Sequence, residues 1–161
     1  MEIEKKFAEA ALRAKKAGAD GVELIGSAGY LISQFLSPIT NQRTDEYGGS
    51  FENRARFVLE TIERVREKVG DDFIVTMRLG GSDFMPGGNT NEEISEYARM
   101  FVEKGLDAIN VTGGWHETRV PQLPMIVPAG AFTYLALGVK RKVNVPAVSY
   151  THLTLPTILL V

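Results

Sequence analysis

The stretch GVELIGSAGY, residues 21–30, decides the fold, because it joins an apolar run to a turn of small residues that ends in a tyrosine. A helical pattern of apolar residues from Phe7 to Ala14 precedes it, and Gly18 ends that helix. The short and mostly apolar run GVELIG predicts a buried parallel strand. A long loop follows this strand and extends to about residue 50.

The same order of helix, short glycine turn, strand and long loop recurs along the chain. Further elements are predicted as a helix over 55–69, a strand over 73–79, a helix from a Thr90–Glu93 capping box to Gly105, a strand over 107–112, a helix over 132–140 and a strand over 145–148. This alternation predicts an α/β fold with a parallel sheet.

The long loops that follow the strands are typical of a (β/α)8 TIM barrel, whose active site is built from such loops. A doubly wound sheet has the same asymmetry, but the chain has no GxGxxG and no Walker A motif, which weighs against that alternative. With 161 residues against about 250 for a complete barrel, we predict a partial barrel of about four βα units over residues 1–148. The Thr- and Leu-rich residues 149–161 are predicted to be a non-native or truncated tail.

Composition excludes several classes of protein. The net charge of −2 gives no basic surface for a nucleic acid, and no apolar run approaches the roughly 20 residues of a membrane span. The charged start of the chain has no apolar leader, so we expect a cytoplasmic protein without membrane partners. The absence of cysteine excludes disulfides and thiolate metal or iron–sulfur ligands within these residues. The oligomeric state stays open.

Three segments carry a resemblance to a known family. They are residues 21–36 (GVELIGSAGYLISQFL), residues 40–50 (TNQRTDEYGGS) with Asn53-Arg54 beyond, and residues 113–121 (GGWHETRVP). The first two resemble the old yellow enzyme or NADH:flavin oxidoreductase family, and the third resembles its narrower 2,4-dienoyl-CoA reductase branch. The resemblance extends from about residue 7 to residue 148.

The chain departs from the usual old yellow enzyme pattern at one informative place. That family commonly has a His-x-x-His or His-x-x-Asn pair that holds the substrate carbonyl, and here the matching positions are Ile25 and Ala28, which donate no side-chain hydrogen bond. The dienoyl-CoA reductase branch also lacks this pair. It has instead a tyrosine and a histidine that match Tyr30 and His116.

The residues themselves leave the roles of this tyrosine and histidine open. Tyr30 follows a strand end, where a phenol donates a proton or simply packs as an aromatic ring. His116 lies just past another strand end, where an imidazole delivers protons near neutral pH or is an ordinary loop side chain. The resemblance implies that Tyr30 is catalytic and that His116 is its partner.

Arg78 stands among apolar neighbours on a predicted strand, so its charge needs a partner. An ion pair with Asp83 or Glu23 is one possibility, and the negative charge of a reduced flavin is the other. The resemblance implies the flavin contact. Trp115 is predicted to line the substrate pocket or to pack, and Arg119 to meet a carboxylate or a CoA phosphate or to lie on the surface.

The remaining charged residues are interpreted as structural. Arg43, Asp45, Asn53 and Arg54 are expected to hold the long first loop to the barrel rim, and Arg56, Arg64 and Arg66 to form a solvated helix face.

The resemblance implies an enzyme that binds FMN and reduces an activated C=C of an enoyl or 2,4-dienoyl thioester, a small unsaturated substrate, with electrons from NAD(P)H. In this branch the electrons pass through FAD and a 4Fe-4S cluster in a downstream module outside these residues. Two alternatives stay open. One is another flavin-barrel enzyme, an enoate or enone reductase or an amine dehydrogenase. The other is an inactive fragment that binds no cofactor.

Overall fold

The computed structural model describes residues 2–119, 127–128 and 130–149. Its helices are α1 (Glu2–Lys16), α2 (Leu31–Leu36), α3 (Phe51–Val69), α4 (Asn91–Glu103) and α5 (Thr133–Lys140), and its strands are β1 (Gly21–Gly26), β2 (Ile74–Gly80), β3 (Ala108–Thr112) and β4 (Ala147–Val148). The strands pair in parallel in the order β1-β2-β3-β4. The predicted α/β fold with a parallel sheet is therefore confirmed.

The helices cover one face of this sheet. The buried strand residues that pack against them are Leu24, Val75, Met77, Leu79, Ile109 and Val111. The alternate side chains, which we call the inner face, belong to Glu23, Ile25, Thr76, Arg78, Asn110 and Thr112. Because Glu23 and Ile25 are exposed, the prediction of a fully buried β1 was wrong for one of its two faces.

Helix α2 lies within the stretch that the sequence predicted as loop. Its six residues are too few to show a helical period of their own, yet Ile32 and Leu36 are buried one turn apart. Arg54 of α3 donates to the Leu36 carbonyl at 3.0 Å and to the Gly49 carbonyl at 2.7 Å. These bonds agree with the structural role expected of Arg54, since they hold the loop against the barrel.

The prediction that the arginines of α3 form a solvated helix face is wrong for Arg66. Its side chain is only 13% exposed, and its guanidinium also pairs with Asp107. It donates to the Gly105 carbonyl at 2.8 Å and to the Phe73 carbonyl at 2.6 Å. Arg66 thus joins α3 to the turns that precede β2 and β3, at the amino ends of the strands.

The Thr90–Glu93 capping box is present as predicted. The Glu93 amide donates to Thr90 Oγ1 at 3.3 Å, and the Thr90 amide donates to Glu93 Oε2 at 2.8 Å. We expect Thr90→Ala to lower the free energy of unfolding by about 1 kcal/mol, because an amide at the start of α4 loses its acceptor. Urea unfolding measures this change. The exposed Thr44→Ala is the control and should stay within about 0.5 kcal/mol of the parent, and an equal midpoint for both variants would contradict the prediction.

Within the described residues, no helix combines the length and the apolar character that a bilayer crossing needs. The predicted tail over 149–161 lies outside the described residues, apart from Ser149, and its origin stays a prediction.

Candidate active site

Tyr30 is fixed by a strained turn that follows β1. Ala28 has a φ of 65° and Gly29 a φ of 87°, so two consecutive residues adopt the left-handed region. For a residue with a Cβ, such as Ala28, this conformation is costly, and strain of this kind concentrates at functional sites. The Tyr30 amide donates to the Ser27 carbonyl at 3.1 Å, and α2 starts directly afterwards. The phenol, with 54% of the residue exposed, therefore projects from a rigid backbone.

The loop after β3 meets this turn. Ala28 forms an isolated parallel bridge with Trp115, and its carbonyl accepts from the His116 amide at 3.4 Å. His116 Nε2 then lies 3.3 Å from Tyr30 Oη, with the two rings edge to face and their centroids 5.5 Å apart. The structure brings together two residues that are 86 positions apart in the sequence and that the resemblance pairs. Their catalytic roles stay a prediction.

Trp115 is held by a hydrogen bond to a buried aspartate. Its side chain is buried, and Nε1 donates to Asp83 Oδ1 at 3.0 Å. Asp83 is itself buried, and its Oδ2 accepts from the Asn89 amide at 2.7 Å. Burial raises the pKa of the Asp83 carboxyl, although the donors around it act in the opposite direction. Sequence reasoning considered Asp83 only as a partner of Arg78. Its position just past the end of β2, among the loops that form the site, was the available signal.

Arg78 lies on the inner face, in register with Ile25 of β1 and Asn110 of β3. It is half-buried, two residues before the end of β2. The two carboxylates considered as its partners each accept another hydrogen bond. Asn110 Nδ2 donates to Glu23 Oε2 at 3.2 Å, and Asp83 accepts from Trp115. Arg78 thus lies on the inner face near the carboxyl end of β2.

The two residues predicted for the substrate pocket have different environments. Trp115 is 5% exposed, so most of its ring contacts protein. Arg119 is exposed, and the residues that follow it, 120–126, lie outside the described part of the chain. A pocket role for either residue stays a prediction.

Comparison with known proteins places this arrangement in a family. The model of the NADH:flavin oxidoreductase / NADH oxidase family matches residues 1–137. The chain belongs to this family. A metal reductase of Desulforamulus reducens is 54% identical over 155 residues, which cover 96% of this chain and 23% of that protein.

Two solved structures show the same fold. A 2-naphthoyl-CoA reductase in complex with 2-naphthoyl-CoA has a TM-score of 0.83 and is 41% identical, over 87% of this chain and 21% of that one. An old yellow enzyme homologue from Zymomonas mobilis has a TM-score of 0.75 and is 26% identical, over 99% of this chain and 43% of that one. The chain therefore corresponds to less than half of each of these proteins.

These matches confirm the resemblance to old yellow enzymes and the partial TIM barrel. The family that matches is described as NADH:flavin oxidoreductase / NADH oxidase, and FMN with a nicotinamide cofactor is what membership of it implies. The 2,4-dienoyl-CoA reductase branch, the substrate and the individual site residues stay predictions.

Proposed function

We propose that this chain forms the proton-donating side of an FMN-dependent active site that reduces an activated C=C of an enoyl or 2,4-dienoyl thioester with electrons from NAD(P)H. The observation that carries the proposal is the 3.3 Å contact between Tyr30 Oη and His116 Nε2 at the carboxyl ends of β1 and β3. A phenol and an imidazole in contact form a pair that both stores and transfers a proton.

The inner face offers a donor set that fits FMN. Arg78 supplies a guanidinium and Asn110 an amide in the same row of the sheet. Thr112 Oγ1 is buried nearby on β3 and has no hydrogen-bond partner among the described residues. In this proposal Arg78 holds the N1–C2=O edge of the isoalloxazine ring, where reduced flavin carries negative charge. When bound, FMN supplies the hydride for the reduction.

Tyr30 supplies the proton that balances this hydride. One carbon of the C=C receives the hydride and the carbon next to the carbonyl receives the proton from Tyr30 Oη, while NAD(P)H is oxidised to NAD(P)+. The resulting phenolate recovers a proton through His116 Nε2, which faces the same oxygen. The rigid turn at Ala28 and Gly29 keeps the phenol in place through both transfers.

Two features favour a thioester over a simple enone. The side chains of Ile25 and Ala28 offer no donor to a substrate carbonyl, so these two positions do not provide the hydrogen bonds that hold the carbonyl of an enone. Arg119 is exposed on the loop that carries His116, and we assign it to the phosphates of CoA. The similar 2-naphthoyl-CoA reductase, whose structure holds an aromatic CoA thioester, supports this substrate class.

We further propose that electrons reach this site from NAD(P)H through FAD and a 4Fe-4S cluster held by residues outside this chain. The chain contains no cysteine, so it provides no thiolate ligands for a cluster. It also covers only 23% of the length of its Desulforamulus relative.

Purified protein supplied with FMN tests the proposal. Flavin absorbance after gel filtration reports binding. Oxidation of reduced methyl viologen, which replaces the electron supply outside this chain, is then followed with an enoyl thioester, a dienoyl thioester and a cyclic enone, and bleaching of the oxidised flavin is followed with a secondary amine. We expect retained flavin and turnover of the thioesters. Turnover of the enone or the amine alone would assign the site to the other flavin-barrel enzymes, and protein without flavin would contradict the proposal.

A further inference from the structure

We infer that Asp83 is a positioning residue that holds His116 against Tyr30 through the ring of Trp115. This inference rests on the proposed function, because it assigns a task to the Tyr30–His116 contact. Asp83 touches neither of these two side chains in any hydrogen bond of the described structure, so its effect passes through Trp115.

The Asp83 carboxylate connects the loops after β2 and β3 at the carboxyl edge of the sheet. Oδ1 accepts from Trp115 Nε1 at 3.0 Å, in the loop after β3, and Oδ2 accepts from the Asn89 amide at 2.7 Å, in the loop after β2. Both oxygens are therefore in use, and only a carboxylate accepts at both of these positions.

Trp115 transmits this constraint to the site. Its residue is 5% exposed, and its ring packs beside Gly29, where an added Cβ would lie 3.0 Å from Trp115 Cε3. Its backbone bridges to Ala28, and the next amide, that of His116, donates to the Ala28 carbonyl. With the indole fixed on one side and the backbone on the other, the backbone of His116 is held beside the turn that carries Tyr30.

The burial of Asp83 is costly, which argues that its charge has a purpose. Desolvation raises the pKa of its carboxyl, and Glu93 adds a smaller effect in the same direction. Desolvation therefore disfavours the charged form of Asp83 in the folded protein. Well-packed apolar residues often replace buried charges without loss of stability. The two hydrogen bonds at the Asp83 oxygens offset this cost, and they do so by fixing the loops that carry the candidate active site.

Asp83→Asn tests the inference in the FMN-loaded protein. An amide has one acceptor oxygen, so the variant loses either the Trp115 bond or the Asn89 bond. Trp115 is the only tryptophan of the chain, and its fluorescence reports directly on its environment. We expect a shifted emission maximum and a kcat about 10- to 100-fold lower with KM unchanged, because the loss is of alignment and not of substrate binding.

Asp107→Asn is the matched control. It removes the same charge at the opposite end of β3, where Asp107 accepts from the Val75 amide at 2.8 Å. We expect its Trp115 emission and its kcat to equal those of the parent. Should Asp83→Asn not fold, Trp115→Phe removes the indole donor together with part of the ring and should lower kcat to a similar extent. Where Asp83→Asn folds, adding it to Trp115→Phe should cost little more, as for two residues that act through one contact.

The outcomes separate this inference from the proposed function. Unchanged emission and kcat in Asp83→Asn, or equal losses in Asp83→Asn and Asp107→Asn, would overturn the positioning role of Asp83. If Tyr30→Phe keeps full turnover, the proposed function fails, whatever the emission of Trp115 shows.

Discussion

Replacing Tyr30 by phenylalanine should lower turnover about 100- to 10,000-fold while leaving the flavin bound, because the change removes only a hydroxyl that donates a proton. The aromatic ring stays, and the turn at Ala28 and Gly29 does not depend on the hydroxyl. The one hydrogen-bond contact of Tyr30 Oη among the described residues is His116 Nε2, at 3.3 Å. The loss should therefore appear in kcat and not in the amount of folded protein or of bound FMN.

Tyr134→Phe provides the control for this prediction. Tyr134 lies on α5 and is 53% exposed, close to the 54% of Tyr30, so the same atom is removed from a similarly exposed phenol. Steady-state rates with an enoyl thioester and reduced methyl viologen as the electron donor compare the two variants, and flavin absorbance normalises them. Turnover at the parent's rate in Tyr30→Phe would remove Tyr30 from the scheme, and equal losses in both variants would point to an unspecific effect.

The sequence was sufficient to predict that Tyr30 and His116 lie at the same edge of the sheet. Each follows the end of a predicted strand, and the carboxyl ends of parallel strands meet at one edge. Their contact itself followed only from the family resemblance, because spacing says nothing about the direction of two side chains. The structure adds the reason for the contact, which is the bridge between Ala28 and Trp115.

Features that depend on distant partners were not accessible from the sequence. Asp83 and Trp115 are 32 positions apart, and Arg66 and Gly105 are 39 apart, so no local period or motif links either pair. Glu4 is fully buried on α1 although its sequence context is charged, and Arg64 Nε lies 3.9 Å from its carboxylate. Charged side chains such as Glu4 are usually solvated. Glu4 is buried because α1 packs on α3, and this contact is not visible in the sequence.

Phe57→Ala should lower the free energy of unfolding by about 3–5 kcal/mol, a large part of the 5–15 kcal/mol of a typical domain. Phe57 of α3 is fully buried, with its ring stacked on Phe35 of α2 at a centroid distance of 4.3 Å and edge-on to Phe7 of α1 at 6.5 Å. Its removal leaves a cavity where three helices meet, and α2 is too short to be stable without packing.

The loss of this packing also bears on the candidate active site, because α2 begins directly after Tyr30. Urea unfolding followed by circular dichroism measures the loss, and Phe57→Leu, which refills most of the volume, should recover a large part of it. Phe84→Ala deletes the same ring at a position that is 36% exposed and should cost far less. If Phe57→Ala and Phe84→Ala unfold at the same urea concentration, the three-helix contact does not stabilise the fold. If Phe57→Ala is destabilised and also changes the emission of Trp115, the packing of α2 and the geometry of the Tyr30 turn are one cooperative unit.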